Sequence, residues 1–96
     1  MAYRLTKAAE ADYRALYIFG IEKFGEQQAD DYCDGLDALF ENLARHPEMG
    51  AAVDHIRRGY RRAVHHRHSV YYVIEDGGVL IVRILGQQDP SDQFDD

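Results

Sequence analysis

The most constraining stretch of this chain lies between Tyr60 and Leu85. Two β-branched and aromatic runs, 69–74 and 79–85, flank Glu75-Asp76-Gly77-Gly78. Asp-Gly followed by Gly supplies the positive φ angles of a tight turn, so an antiparallel hairpin is predicted. Ahead of it, 60–65 is a third candidate strand, rich in arginine. Side chains alternate across a sheet, so each strand has two faces. His68, Val70, Tyr72 and Ile74 are expected to face a core, with Leu80, Val82 and Ile84 beside them. Ser69, Tyr71 and Val73 face the other way, with Ile81, Arg83 and Leu85 as neighbours. That second face is also largely apolar, so another part of the chain or a partner must cover it.

The first half of the chain reads as two helices. Residues 2–5 alternate Tyr3 and Leu5 as a short edge strand, and Thr6 fits an N-cap. From Lys7 to Phe24, apolar residues Ala9, Tyr13, Leu16, Tyr17, Gly20 and Phe24 recur at helical spacing. Ile18, Phe19 and Ile21 widen this surface beyond one stripe, which implies contact on two sides. Gly25 is a C-terminal stop. A second helix runs from Glu26 to about Arg45, with Ala29, Tyr32, Cys33, Leu36, Leu39, Phe40 and Leu43 on one face. Its acidic start and its Arg45-His46 end complement the helix dipole. With one glycine between them, the helices are expected to form an antiparallel hairpin. Residues 51–59 read as a connector carrying Val53 and Ile56. The predicted order is β-α-α-β-β-β, an α+β fold with the helical hairpin packed on a small, mostly antiparallel sheet. Residues 1–96 form one such domain, and 86–96 are a polar tail.

Ninety-six residues suffice for a single modest core. No apolar run is long enough for a membrane span, and the N-terminus lacks the apolar stretch of a signal peptide. Cys33 is the only cysteine, so a reducing cytoplasm is the default expectation. The net charge of −6 is unevenly spread. Arg57, Arg58, Arg61, Arg62, Arg67 and Arg83 face only Asp54, Glu75 and Asp76 within the sheet region, whereas the helices and tail are acidic. One basic surface on an acidic body suggests an anionic partner on that side alone.

The chemistry-bearing residues are few. His65, His66 and His68 are metal-ligand types. In a continuous strand, however, His66 and His68 share a face and His65 opposes them, with no Cys or carboxylate in support. They read as polar residues at a strand turn, with no metal site. Cys33 sits in an apolar helix stripe, as a packed thiol does. There is no phosphate-binding glycine loop, nucleophile elbow or zinc-protease motif. The arginines, interleaved with Tyr60 and Tyr71, suit single-stranded nucleic acid or an acidic peptide equally.

The order and spacing of LTKAAEADYRAL, FGEQQADDY, NLARHPEMG, DHIRRGYRR, HSVYYVIED and VLIVRILGQQDP resemble the ParE toxins of type II toxin–antitoxin modules, within the RelE/ParE superfamily. The resemblance spans nearly the whole chain. It implies a cytoplasmic toxin neutralised by a cognate ParD-like antitoxin, in a higher-order hetero-oligomer that meets DNA only through the antitoxin. It further implies a non-catalytic protein that inhibits DNA gyrase and so blocks replication, with no cofactor and no membrane. The RelE branch instead cleaves messenger RNA on the ribosome, using basic residues and a C-terminal Tyr or His. Here the residues after Leu85 contain no Tyr, His, Lys or Arg, which favours the gyrase-directed branch. For the nuclease alternative, Arg61, Arg83 and His68 would be the participants; a third alternative is a degenerate antitoxin-binding subunit. His66-Arg67-His68 stands where the family commonly has a Gly-Ser-His turn. Antitoxin contacts are expected at Leu16, Phe19, Ile21, Arg61, Tyr71 and Arg83, and target contacts at Arg58, Arg62 and Arg67.

Overall fold

The computed structural model describes residues 2–86; the polar tail beyond Gly86 lies outside the described residues. Strand β1 (Ala2–Leu5) leads into helix α1 (Lys7–Phe24), then α2 (Glu26–Arg45). Four strands follow: β2 (Ala51–Ala52), β3 (Arg61–His65), β4 (His68–Glu75) and β5 (Gly78–Leu85). They form one sheet in the order β1-β5-β4-β3-β2. Only β1 runs parallel to its neighbour, β5. The α+β reading therefore holds, with β2 as a fifth strand that two alanines gave no means to foresee.

Local chemistry sets the boundaries. The Thr6 hydroxyl accepts from the Ala9 amide at 3.0 Å and donates to the Val82 carbonyl at 2.8 Å. It thus caps α1 and ties that helix to the edge of β5. Gly25, at φ 93°, donates its amide to Ile21 O and lets the chain reverse into α2. One face of α2 buries Ala29, Cys33, Leu36, Phe40, Leu43 and Ala44. Leu36, Phe40 and Leu43 join Val70, Tyr72, Val79, Ile81 and Ile84 in the main core. Each large side chain removed from water there contributes about 1.5–3 kcal/mol.

The predicted alternation survives along β4 and breaks on β5. Tyr71 pairs with Arg83 but Tyr72 pairs with Ile81, so Val82 is an extra residue. That bulge reverses the faces of β5. Val79 and Ile81 point into the core beside Ile84, whereas Leu80 and Val82, expected there, are only half-buried. Ile74 is 46% exposed. It lies past the end of α2, where it lines a shallow groove with His46, Pro47, Glu48 and Met49.

The second sheet face is covered from within. Residues 53–60 strap across it, and Val53 with Ile56 and Tyr60 packs on Tyr71 and Leu85 as a separate small core. The Asp54 carboxylate accepts the Gly59 amide at 2.7 Å, closing the strap. Adjacent residues Tyr71 and Tyr72 therefore serve opposite cores. The Tyr72 hydroxyl, on the helix side, donates to Pro47 O at 2.6 Å and accepts from the Gly50 amide at 2.9 Å.

Candidate functional site

Helix α1 carries two apolar faces. Ala9 is fully buried, and Tyr13, Leu16, Gly20 and Ile21 are half-buried toward α2 and the sheet. Ala8, Ala11, Ala15, Ile18 and Phe19 lie on the opposite side, all exposed. Ile18 and Phe19 are 54% and 55% exposed. Spacings of three and four residues make this a continuous apolar stripe rather than scattered exposure. Of the three α1 residues expected to meet a partner, Phe19 is open. Leu16 packs against the main core, and Ile21 is half-buried.

Hydroxyls hold the hairpin behind this stripe. Tyr13 donates to Asp37 Oδ1 at 2.8 Å and Tyr17 to Asp30 Oδ1 at 2.6 Å. Burial, followed by the Asp37 bond, pushes the Tyr13 phenol well above its ordinary value. The Asp30 bond pushes Tyr17 up to about 12. Both tyrosines therefore stay protonated donors, because their partners are carboxylates. Burial also raises the Cys33 thiol, which fits a packed side chain.

The expected arginine sites separate into two groups. Arg61 donates to Gly50 O at 2.9 Å and Glu48 O at 3.2 Å, fastening the turn after α2. Arg83 pairs with Asp12 on α1, Nε–Oδ2 2.7 Å and Nη2–Oδ1 3.0 Å, and the pair raises its pKa. Asp12 Oδ2 also accepts the Ile84 amide at 2.9 Å. Both arginines therefore hold the fold together. Tyr71, the remaining sheet residue expected at an antitoxin contact, is 2% exposed beneath the strap. In this conformation it offers no surface to a partner. Arg58, Arg62 and Arg67, assigned to a target, are all exposed. Arg62 shares the sheet face of Tyr71, Arg58 stands on the strap and Arg67 in the β3–β4 turn.

The histidines gather where continuous-strand alternation separates them. His66 and Arg67 form a two-residue turn with His66 at φ 53°, so His65 and His68 pair directly and face α2 together. Tyr32 lies between them. Its hydroxyl donates to His65 O at 2.9 Å and lies 2.6 Å from His68 Nδ1; the His65 ring Nε2 sits 3.2 Å from Tyr32 O. Burial lowers the pKa of both His65 and His68. Gly35 makes room for this ring: a Cβ there would stand 2.6 Å from His65 Cε1. The cluster is a packing device, and no group of three His, Cys, Asp or Glu among the described residues is placed to hold a metal.

Two residues whose polar roles the sequence reading did not assign matter most. Asp12 is an acid on the inner side of α1, three residues after Ala9 and four before Leu16; its position among apolar neighbours is the available signal. Tyr32 is visible only as one more apolar residue of α2.

Comparison with known proteins gives one family. The family model described as the ParE toxin of the type II toxin–antitoxin system parDE matches residues 3–90. Toxin ParE1 of Caulobacter vibrioides is 38% identical over 85 residues, covering 88% of each chain. Toxin ParE1 of Mycobacterium tuberculosis is 32% identical over 87 residues, 90% of this chain and 89% of the relative. In three dimensions, a structure described as the chromosomal ParDE TA system from P. aeruginosa superposes with a TM-score of 0.78. It covers 92% of this chain and 97% of its own at 20% identity, a likeness of fold.

Proposed function

The chain belongs to the ParE toxin family of type II toxin–antitoxin systems, and from that premise we propose that a cognate ParD-like antitoxin holds it inactive in the cytoplasm. Freed, it inhibits DNA gyrase by binding alone and so blocks replication. The antitoxin carries the DNA contacts of a larger toxin–antitoxin assembly.

The observation that carries this reading is the second apolar face of α1. An exposed stripe ending in Ile18 and Phe19 suits a protein partner that folds onto it. Phe19 is its anchor, and Leu16 and Ile21 border it from the inner side. The nuclease alternative finds less support. Arg61, Arg83 and His68 each hold a structural bond, to carbonyls, to Asp12 and to Tyr32 respectively. Among the described residues no helix is long and apolar enough to cross a membrane.

Induction of the chain in a bacterial host lacking the antitoxin tests the proposal. Growth arrest with filamentation, a DNA-damage response and intact messages is the expected outcome. Rapid message cleavage would transfer the chain to the ribonuclease reading. Folded protein without arrest would leave a degenerate antitoxin-binding subunit.

A further inference from the structure

The open end of β3 has the composition and geometry of a strand-addition site. Strand β2 pairs only with Arg61 and Arg62, so among the described residues no strand flanks the outer edge from Ala63 to His65. Ladder bonds alternate along an antiparallel pair. His65 and His68 close a two-residue hairpin and exchange bonds with each other. Ala63 therefore also bonds across to β4, whereas Arg62 and Val64 direct their N–H and C=O outward. Arg62 confirms this phase, since its carbonyl oxygen lies against Gly50 on the β2 side. For Arg62, β2 supplies the neighbour; for Val64, β2 has already ended.

Val64 is also the most exposed large apolar side chain of the sheet, at 59%. It pairs with Ser69 and shares a face with Arg62 two residues before it. Arg67, in the adjoining turn, is exposed as well. Among the described residues, the site therefore offers one backbone donor and acceptor with no strand opposite, one apolar contact and two guanidinium groups. Nucleic acid fits this surface poorly. Tyr71 is buried beneath the strap and Tyr60 is half-buried against it, which leaves bases a poor stacking platform among the described residues.

We propose that an extended, acidic segment of the toxin's protein target adds to β3 at Val64 as a further antiparallel strand. Its backbone bonds the Val64 N–H and C=O, an apolar side chain covers Val64, and its carboxylates meet Arg62 and Arg67. This deepens the target-contact reading of Arg62 and Arg67, but the strand site can be tested without gyrase.

The full-length, isotope-labelled chain is titrated with the synthetic peptide Asp-Val-Asp-Val-Asp-Val while its amide resonances are followed. Saturable shifts centred on Ala63, Val64 and His65 are expected. Val64→Pro removes the outward N–H without touching the bonds to β4, and it should weaken the peptide about tenfold, the worth of one backbone hydrogen bond. Arg62→Glu with Arg67→Glu should abolish binding while the remaining spectrum stays native. The proposal is overturned if shifts centre elsewhere or if Val64→Pro binds as the parent does. Binding of single-stranded oligothymidylate in place of the peptide would make this a nucleic-acid surface. Shifts of the same amides with the cognate antitoxin instead would assign the edge to the antitoxin. Peptide binding here by a chain that leaves gyrase active would remove the gyrase reading alone.

Discussion

One carboxylate oxygen of Asp12 accepts from both the Arg83 guanidinium at 2.7 Å and the Ile84 backbone amide at 2.9 Å. Strand β1 pairs with β5 only as far as Ile81, so beyond that point α1 supplies what a neighbouring strand would. Asp12 bonds the next edge amide, and Arg83 neutralises the charge brought there. The side chains are 15% and 23% exposed, dry enough for the pair to matter. Asp12→Ala should cost about 2–3 kcal/mol, less than a fully buried pair because water still reaches it. Urea unfolding measures this. A cost of a few tenths would show that solvent replaces the carboxylate without penalty.

Strand β1 depends on a glycine that is its direct partner in the sheet, opposite Ala2, though far away in sequence. A Cβ at Gly78 would collide with the Ala2 carbonyl oxygen, so Gly78→Ala must push β1 off β5. We expect a loss of at least about 2 kcal/mol, with faster hydrogen exchange at the Thr6 amide, which bonds Ile81 O. Unchanged exchange at Thr6 would mean that the strands separate without cost.

His66 occupies the left-handed region at φ 53°, where a side chain costs energy and glycine does not. His66→Gly should therefore stabilise the chain by about 0.5 kcal/mol, and His66→Val should destabilise it by about 1 kcal/mol. Thermal unfolding of the two variants side by side decides the sign.

Protonation should loosen the same corner. His65 and His68 have folded pKa values below the ordinary 6.5, chiefly through burial. The unfolded chain then binds more protons below that value, so stability is level above about pH 6.5 and falls as pH drops beneath it. The decline ends once the folded histidines also charge. His65 faces His66 and Tyr32, while His68 also feels the Asp12 carboxylate, which opposes the shift. Replacing both His65 and His68 with Gln should flatten the slope of stability between pH 7 and 5. An unaltered slope would place the titration elsewhere.

The outer stripe of α1 predicts a separation of effects. Phe19→Ala should weaken the cognate antitoxin at least about tenfold, as loss of an aromatic anchor does, and leave the urea midpoint within experimental scatter. Arg83→Ala should instead lower the midpoint. Calorimetric titration with refolded variants measures the affinity and urea unfolding the midpoints, and equal antitoxin affinity for Phe19→Ala would remove the α1 stripe from the interface.

Most of the architecture was readable because its signals are local. Thr6 ahead of a 3.6-residue repeat, Gly25 between two such repeats, and Asp76-Gly77 between β-branched runs each fix a boundary where they stand. The faces of β5 were not readable. In the run from Val79 to Leu85 every residue but Arg83 is apolar, so alternation gives no phase and the extra Val82 leaves no mark. The orientation of His65 turned on whether His66 and Arg67 continue a strand or reverse it. Arg83 and Tyr71 looked available because composition cannot reveal that Asp12 and the 53–60 strap already engage them. Asp12 itself required knowing which strand edge α1 would cross.

The two cores on either side of β4 carry a further implication. Tyr71 and Tyr72 are chemically alike, yet a slip of one residue would point each ring into the wrong compartment. Tyr72 would leave its bonds at Pro47 and Gly50, and Tyr71 would leave the strap. Alignment of the sheet is thus locked from both sides by groups that never reach the surface. Helix exteriors, strand ends and the charged rim are free to drift without endangering that alignment, and a structure sharing 20% identity retains the same fold. Such a framework can change partners by altering its surface while its interior stays the same.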